Sequence, residues 1–213
     1  MNQEIQNPAN QKLPLQGAGG AREKILAAVL QNQPALQNLP DITFVKGDVE
    51  GAQERYITTL TTIGGKVFKV NSFDEIKALI PTHFDASKRV VSTLPQLSDI
   101  AELNQGEPID PHSLEDIELS IIRAHFGIAE NGSVWVTEDL MGQRVLPFIC
   151  QHLAVVIDAE NIVPTMHEAY QRIGLIKYGF GTFIAGPSKT ADIEQSLVLG
   201  AHGPRSMTVF LLG

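Results

Sequence analysis

The sequence predicts an α/β fold built on a single mostly parallel sheet flanked by helices. Helical and strand patterns alternate along the chain, the signature of βαβ units. Leu153 to Ile157 is an unbroken apolar run, the composition of a strand covered on both faces. A third observation comes from the C-terminal stretch, where a short apolar run (Thr182 to Ala185) leads into a polar Gly-Pro-Ser-Lys-Thr loop. Such a loop at the carboxyl end of a strand is where α/β proteins place ligands.

The elements follow in chain order. Met1 to Gly20 is rich in Asn and Gln and carries Pro8, Pro14, Gly17, Gly19 and Gly20, so a flexible tail over 1–20 is expected, followed by one α/β domain over 21–213. Ile25, Leu26, Val29 and Leu30 at helical spacing predict a first helix over Ala21 to Gln31. A short strand is expected at Ile42 to Val45, a helix over Ala52 to Ile63 and a strand over Lys66 to Val70. Ser72 caps the next helix, through Leu79, with Asp74 and Glu75 in its first turn. Arg89 to Ser92 reads as a short strand, and a further strand enters at Asp116. Asn131-Gly132 is a hairpin-turn signal between the apolar runs on either side. Thr165 opens a helix, Met166 to Ile173, and Met207 to Leu212 is the last strand.

Composition excludes several functions. A formal charge of −8, with no concentrated basic face, argues against nucleic-acid binding. No apolar run approaches the length of a membrane span and no signal peptide opens the chain, so a cytoplasmic protein with no membrane insertion is expected. Cys150 is the single cysteine. It forms no internal disulfide and cannot hold an iron–sulfur cluster, which takes four thiolates. No Gly-x-Gly-x-x-Gly element is present, so no cofactor is expected on this chain alone.

The stretch from Gly181 to Arg205 holds the most polar chemistry. Its loop is expected to open a short helix, about Ala191 to Leu199, with Ser188 or Thr190 as N-cap, Asp192 and Glu194 in the first turn and Gly200 as C-cap. That account leaves Lys189, His202 and Arg205 unexplained. Gly181 and Gly186 have the spacing of a phosphate-binding P-loop, but Pro187-Ser188 stands where Lys and Ser or Thr are required, and the P-loop is rejected. Asp192, Glu194 and His202 match no metal-ligand spacing, so no metal is expected. Ser188, Lys189, Thr190, Asp192, Glu194, His202 and Arg205 are the candidate ligand-binding residues, and a carboxylate or single phosphate is the expected guest.

Gly127-Ile-Ala-Glu-Asn-Gly-Ser133, Pro147, the His152 to Asp158 strand, Ile162-Val-Pro164, Gly186 to Glu194 and Leu199-Gly-Ala-His-Gly-Pro204 together resemble the LUD domain family, in its lactate utilization protein C branch. The usual Thr after the acidic residue of the hairpin is Asn131 here. The resemblance implies a fold akin to 5-formyltetrahydrofolate cyclo-ligase and the NagB/RpiA/CoA-transferase superfamily. It also implies work beside iron–sulfur oxidoreductase partners in L-lactate oxidation, with the clusters on those partner subunits.

Glu130 is the candidate catalytic residue. Glu130-Asn131-Gly132 echoes the Glu-x-Gly turn of CoA transferases, where a carboxylate attacks as nucleophile. A solvated charge beside a tight turn is the simpler explanation of the same residue. Three functions stay open: an accessory subunit of a lactate-oxidising system binding a small organic acid or anion; an independent acyl- or CoA-transferring, or nucleotide- or folate-binding, enzyme using Glu130; and a purely structural or regulatory protein.

Overall fold

The computed structural model describes residues 20–35, 37, 38, 40, 41, 47–85, 87–106, 110–191 and 197–213. The expected strand at 42–45 and all of the expected tail but Gly20 lie outside the described residues. The chain divides into two units, Met1–Ile42 and Thr43–Gly213. The first contains α1 (Ala21–Gln31), none of whose residues is buried.

The second unit is built on six parallel strands. They are β1 (Lys66–Val70), β2 (Val90–Ser92), β3 (Glu102–Leu103), β4 (Leu119–Arg123), β7 (His152–Asp158) and β12 (Ser206–Leu212), in the spatial order β1-β12-β7-β4-β2-β3. The pleat explains why the central runs are apolar throughout. Leu153, Val155 and Ile157 of β7 and Met207, Val209 and Leu211 of β12 enter one core, with Tyr56 and Leu60 of α2 (Ala52–Thr62). Ala154, Val156 and Phe210 enter the other, against Ile76 and Ile80 of α3 (Phe73–His83). Ser72 caps α3 as expected, accepting from the Glu75 N–H. The helix runs beyond Leu79 through Pro81, because proline there removes one bond of the final turn while Ile80 keeps that turn in the core.

The predicted hairpin belongs to a separate four-stranded sheet. β5 (Phe126–Ile128) and β6 (Ser133–Thr137) pair antiparallel, flanked by β8 (Ile162–Val163) and β9 (Gly181–Ile184) in the order β8-β5-β6-β9. Phe126, Ile128 and Trp135 pack on Ala169 and Ile173 of α6 (Met166–Ile173), while Val134 and Val136 face the core shared with α2. Two short helices, α4 (Glu138–Met141) and α5 (Leu146–Ile149), connect β6 to β7. Gly132 takes φ +71 in the turn, a conformation Asn131 supports by accepting from the Ser133 N–H.

One expected element is corrected. In place of a helix over 191–199, β10 (Lys189–Ala191) pairs antiparallel with β11 (Leu197–Leu199); Asp192 and Glu194 lie outside the described residues. The Ser188 N–H donates to Pro204 O and Ser188 O accepts from Gly200 N–H, so both backbone groups serve the 200–204 turn. A helix cap contributes only about 1 kcal/mol, and these long-range bonds with the hairpin ladder outweigh it.

Candidate functional site

The topology of the central sheet marks one place on it. From β2 the chain moves outward to β3, and from β4 it moves the opposite way, through β7 to β12. The crevice outside the carboxyl ends of adjacent strands that lead in opposite directions is the usual ligand site of an open α/β sheet. The β3–β4 and β6–α5 segments meet there. Gly142 lies so close to Asn104 that an added Cβ would stand 2.7 Å from its Oδ1, and Thr93, just past β2, donates to Leu140 O of α4 at 3.1 Å.

Two cavities flank α4 at this edge, sharing Glu138 and Asp139. One, of about 460 Å³, is lined by His125, Phe126, Trp135, Thr137, Arg172, Lys177 and Tyr178. The other, of about 470 Å³, is bordered by Gly106, Gly142 and Arg144. His125 follows β4 by two residues and enters the hairpin, its N–H donating to Trp135 O at 2.9 Å. That register puts its imidazole beside Thr137. His125 Nε2 lies 2.5 Å from Thr137 Oγ1, and Thr137 donates in turn to Asp139 Oδ1. Loss of water around the ring pushes the His125 pKa below its ordinary value; Arg172 acts the same way and Asp139 against it.

The charges around the cavity that holds His125 are ordered. Arg172 lies over the Phe126 ring, 5.0 Å from its centroid, and donates to Asn161 Oδ1 at 2.6 Å. Glu138 accepts from Arg144 Nε at 2.6 Å, and a Cβ at Gly179 would collide with Glu138 Oε1, so a side chain there would have to displace that carboxylate. Trp135 meets Tyr178 edge-on at 5.3 Å and Phe183 at 4.5 Å. Lys177 is exposed at the rim. Arg172 and Lys177 together offer positive charge beside a half-apolar wall, the combination that holds a small organic anion.

The residues singled out from sequence lie elsewhere. Glu130 sits at the turn end of the hairpin, the length of β6 away from Thr137, roughly 16 Å for five strand residues. Its Oε2 accepts from Met166 N–H at 2.7 Å, so the carboxylate satisfies the first turn of α6. Because Val134 pairs with Ile184, the loop after β9 returns to that same end. Gly132 and Gly186 both pack on Ile63, at the C-terminus of α2, and the Lys189 ammonium donates to Ile63 O. Thus the Glu130 turn and the Pro187–Thr190 loop do share one end of the small sheet, but Glu130 caps α6 while Lys189 caps α2. His202 and Arg205 are exposed beyond it, at the amino ends of β7 and β12. His202 has no hydrogen-bond partner among the described residues, and Thr190 stands in β10. Among the described residues no group of three His, Cys, Asp or Glu side chains is placed to hold a metal.

No motif in the sequence points to His125, Thr137, Asp139, Arg172 or Lys177. A signal was available. With a turn at 129–132, counting outward along both arms brings 125 opposite 136 and beside 137.

A six-stranded parallel sheet covered on both faces, with a smaller mixed sheet and a cavity between that sheet, α4 and α6, defines the class as a two-sheet α/β domain. Residues 111–212 match the LUD domain, so this stretch is similar to that family. Lactate utilization protein C of Oceanobacillus iheyensis is 29% identical over 104 residues, covering 46% of this chain and 45% of the relative. Its counterpart from Bacillus pumilus is 32% identical over 96 residues, 42% of this chain and 40% of the relative. The chain therefore aligns with less than half the length of these curated relatives. The crystal structure of a DUF162 family protein from Deinococcus radiodurans superposes with a TM-score of 0.61 at 17% identity, covering 78% of this chain and 99% of that one. That likeness shows the fold. No described helix is long and apolar enough to cross a membrane.

Proposed function

We propose that this chain serves lactate utilization as an accessory subunit that binds a small organic anion beside partners carrying the redox centres. The observation that carries the reading is the pair Arg172 and Lys177 on a cavity of about 460 Å³ between the small sheet, α4 and α6. Two curated relatives named for lactate utilization match part of this chain, which supports a carboxylate as the anion. The cavity is larger than a three-carbon acid fills, leaving room for a group offered by a partner. Cys150, the only cysteine, is buried and its thiol is pushed up to about 12 by burial. A buried, protonated thiol is a poor cluster ligand, so iron–sulfur clusters belong on the oxidoreductase partner subunits.

The terminal stretch competes as the anion site, with Lys189 and Arg205 as its cations. Titration calorimetry with L-lactate and pyruvate separates the two. Arg172→Ala should weaken binding by roughly 1–3 kcal/mol, the range for one charge-assisted hydrogen bond, and Lys177→Ala should weaken it in the same direction. Arg205→Ala should leave it unchanged. Loss of binding in Arg205→Ala alone would move the site to the terminal stretch, and no binding to the unmutated chain would end the anion reading.

A further inference from the structure

We propose that the Asp139–Thr137–His125 chain fixes His125 as a hydrogen-bond acceptor in the cavity, making the site selective for a carboxylate that carries a neighbouring hydroxyl over its oxo counterpart. The inference rests on the anion-binding reading of the same cavity and names what that reading leaves open, the preferred oxidation level of the guest.

The protons on the chain are determined by the groups in it. An ionised carboxylate only accepts, so Thr137 must give its single hydroxyl proton to Asp139. Thr137 Oγ1 then has only lone pairs for His125, and the 2.5 Å contact requires a proton on Nε2. In the neutral ring this leaves Nδ1 unprotonated, and Nδ1 has no partner among the described residues. Partial burial of the ring favours that neutral form. Thr137 is itself 5% exposed, so water does not compete for its hydroxyl.

The same wall supplies the rest of a hydroxy-acid site. Arg172 and Lys177 line the cavity with His125, and of the two carboxylates there, Glu138 is paired with Arg144 and Asp139 holds Thr137. A guest anchored by its carboxylate on the cations can donate its hydroxyl to Nδ1. A 2-oxo acid has only a carbonyl oxygen to present, and two lone pairs would then face each other. His125 is exposed, so with the oxo acid bound its Nδ1 turns to water, and the preference is limited to about the value of one hydrogen bond.

Two measurements test it. Nitrogen NMR of the imidazole in the ligand-free protein at neutral pH should show the Nε2–H tautomer of His125, and finding Nδ1–H would overturn the proposal. Calorimetry should show L-lactate bound about tenfold tighter than pyruvate, the value of one good hydrogen bond. Thr137→Val, which removes the link, and Asp139→Asn, which lets Thr137 turn its proton to the ring, should each lose the preference while still binding anion. Thr137→Ser should keep it. Equal affinity for the two acids, or a preference that survives in both Thr137→Val and Asp139→Asn, overturns this inference alone; binding of neither acid overturns the anion reading and this inference with it.

Discussion

At the scale of single residues, burial decides what each group can do. Tyr56 is fully buried under the small sheet, which drives its pKa far upward, and its hydroxyl has no partner among the described residues. Removing such a hydroxyl takes away a desolvation penalty and little else. Tyr56→Phe should therefore unfold in urea at the same denaturant concentration as the parent or higher, by up to about 1 kcal/mol. A clear loss of stability would reveal a bond to that oxygen. Cys150 is governed by the same physics. With its thiol pushed up to about 12, the folded protein should leave a thiol-specific reagent unconsumed at mildly alkaline pH and react with one equivalent once unfolded.

At the scale of elements, α6 shows how two chain segments secure one helix end. Thr165 and Glu168 form a capping box, and Glu130, from the hairpin turn, takes the Met166 N–H. Thr165→Ala should cost about 1 kcal/mol in chemical denaturation. Glu130→Gln keeps an acceptor but loses the charge favoured at a helix N-terminus, so a smaller loss of about 0.3–1 kcal/mol is expected, and Glu130→Ala should lose more than Glu130→Gln. A catalytic role for Glu130 without a structural one would leave both Glu130 variants as stable as the parent. Close packing imposes a stricter limit on the hairpin itself. A Cβ at Gly127 would stand 2.8 Å from Ile162 and 2.9 Å from the Tyr56 ring. Gly127→Ala should destabilise by roughly 1–3 kcal/mol, measured by the same titration.

For the whole molecule, pH stability falls into two windows with the same sign. His125 and His152 are held below their ordinary value of 6.5, each first by loss of water around the ring. Their folded forms resist protonation, so between the lowered value and 6.5 the unfolded chain binds more protons. Stability is then full above about 6.5 and declines as pH falls through the lowered values. Glu102 and Asp116 are held low chiefly by hydrogen bonds from Arg89, and Asp99 by Lys77. Their contribution is present above the ordinary carboxylate values and is lost as pH drops below them. A melting-temperature profile should step down first below neutrality and again below about pH 4. His125→Gln with His152→Gln should remove the first step and keep the second.

The sequence by itself determined the elements whose signals are local. Helix α1, strand β1, the Ser72 and Thr165 caps and the Asn131-Gly132 turn each depend on residues a few positions apart. The apolar run of β7 likewise announced a strand buried on both faces, Met207 to Leu212 read as the last strand, and the alternation of helices and strands announced the parallel sheet. Where local preference was weak, tertiary bonds decided: Ser188 reads as a helix cap, yet its backbone is taken by Gly200 and Pro204 and the segment becomes a hairpin. The cavity was still less legible. Its His125, Thr137 and Asp139 come from one hairpin and its exit, but Arg172 ends a helix some thirty positions later, and Lys177 and Tyr178 lie in the loop beyond. No spacing encodes that meeting. It exists because α6 packs on the outer face of the small sheet and β9 returns beside β6, contacts fixed by burial of Trp135, Ile173 and Phe183 and not by any short-range pattern.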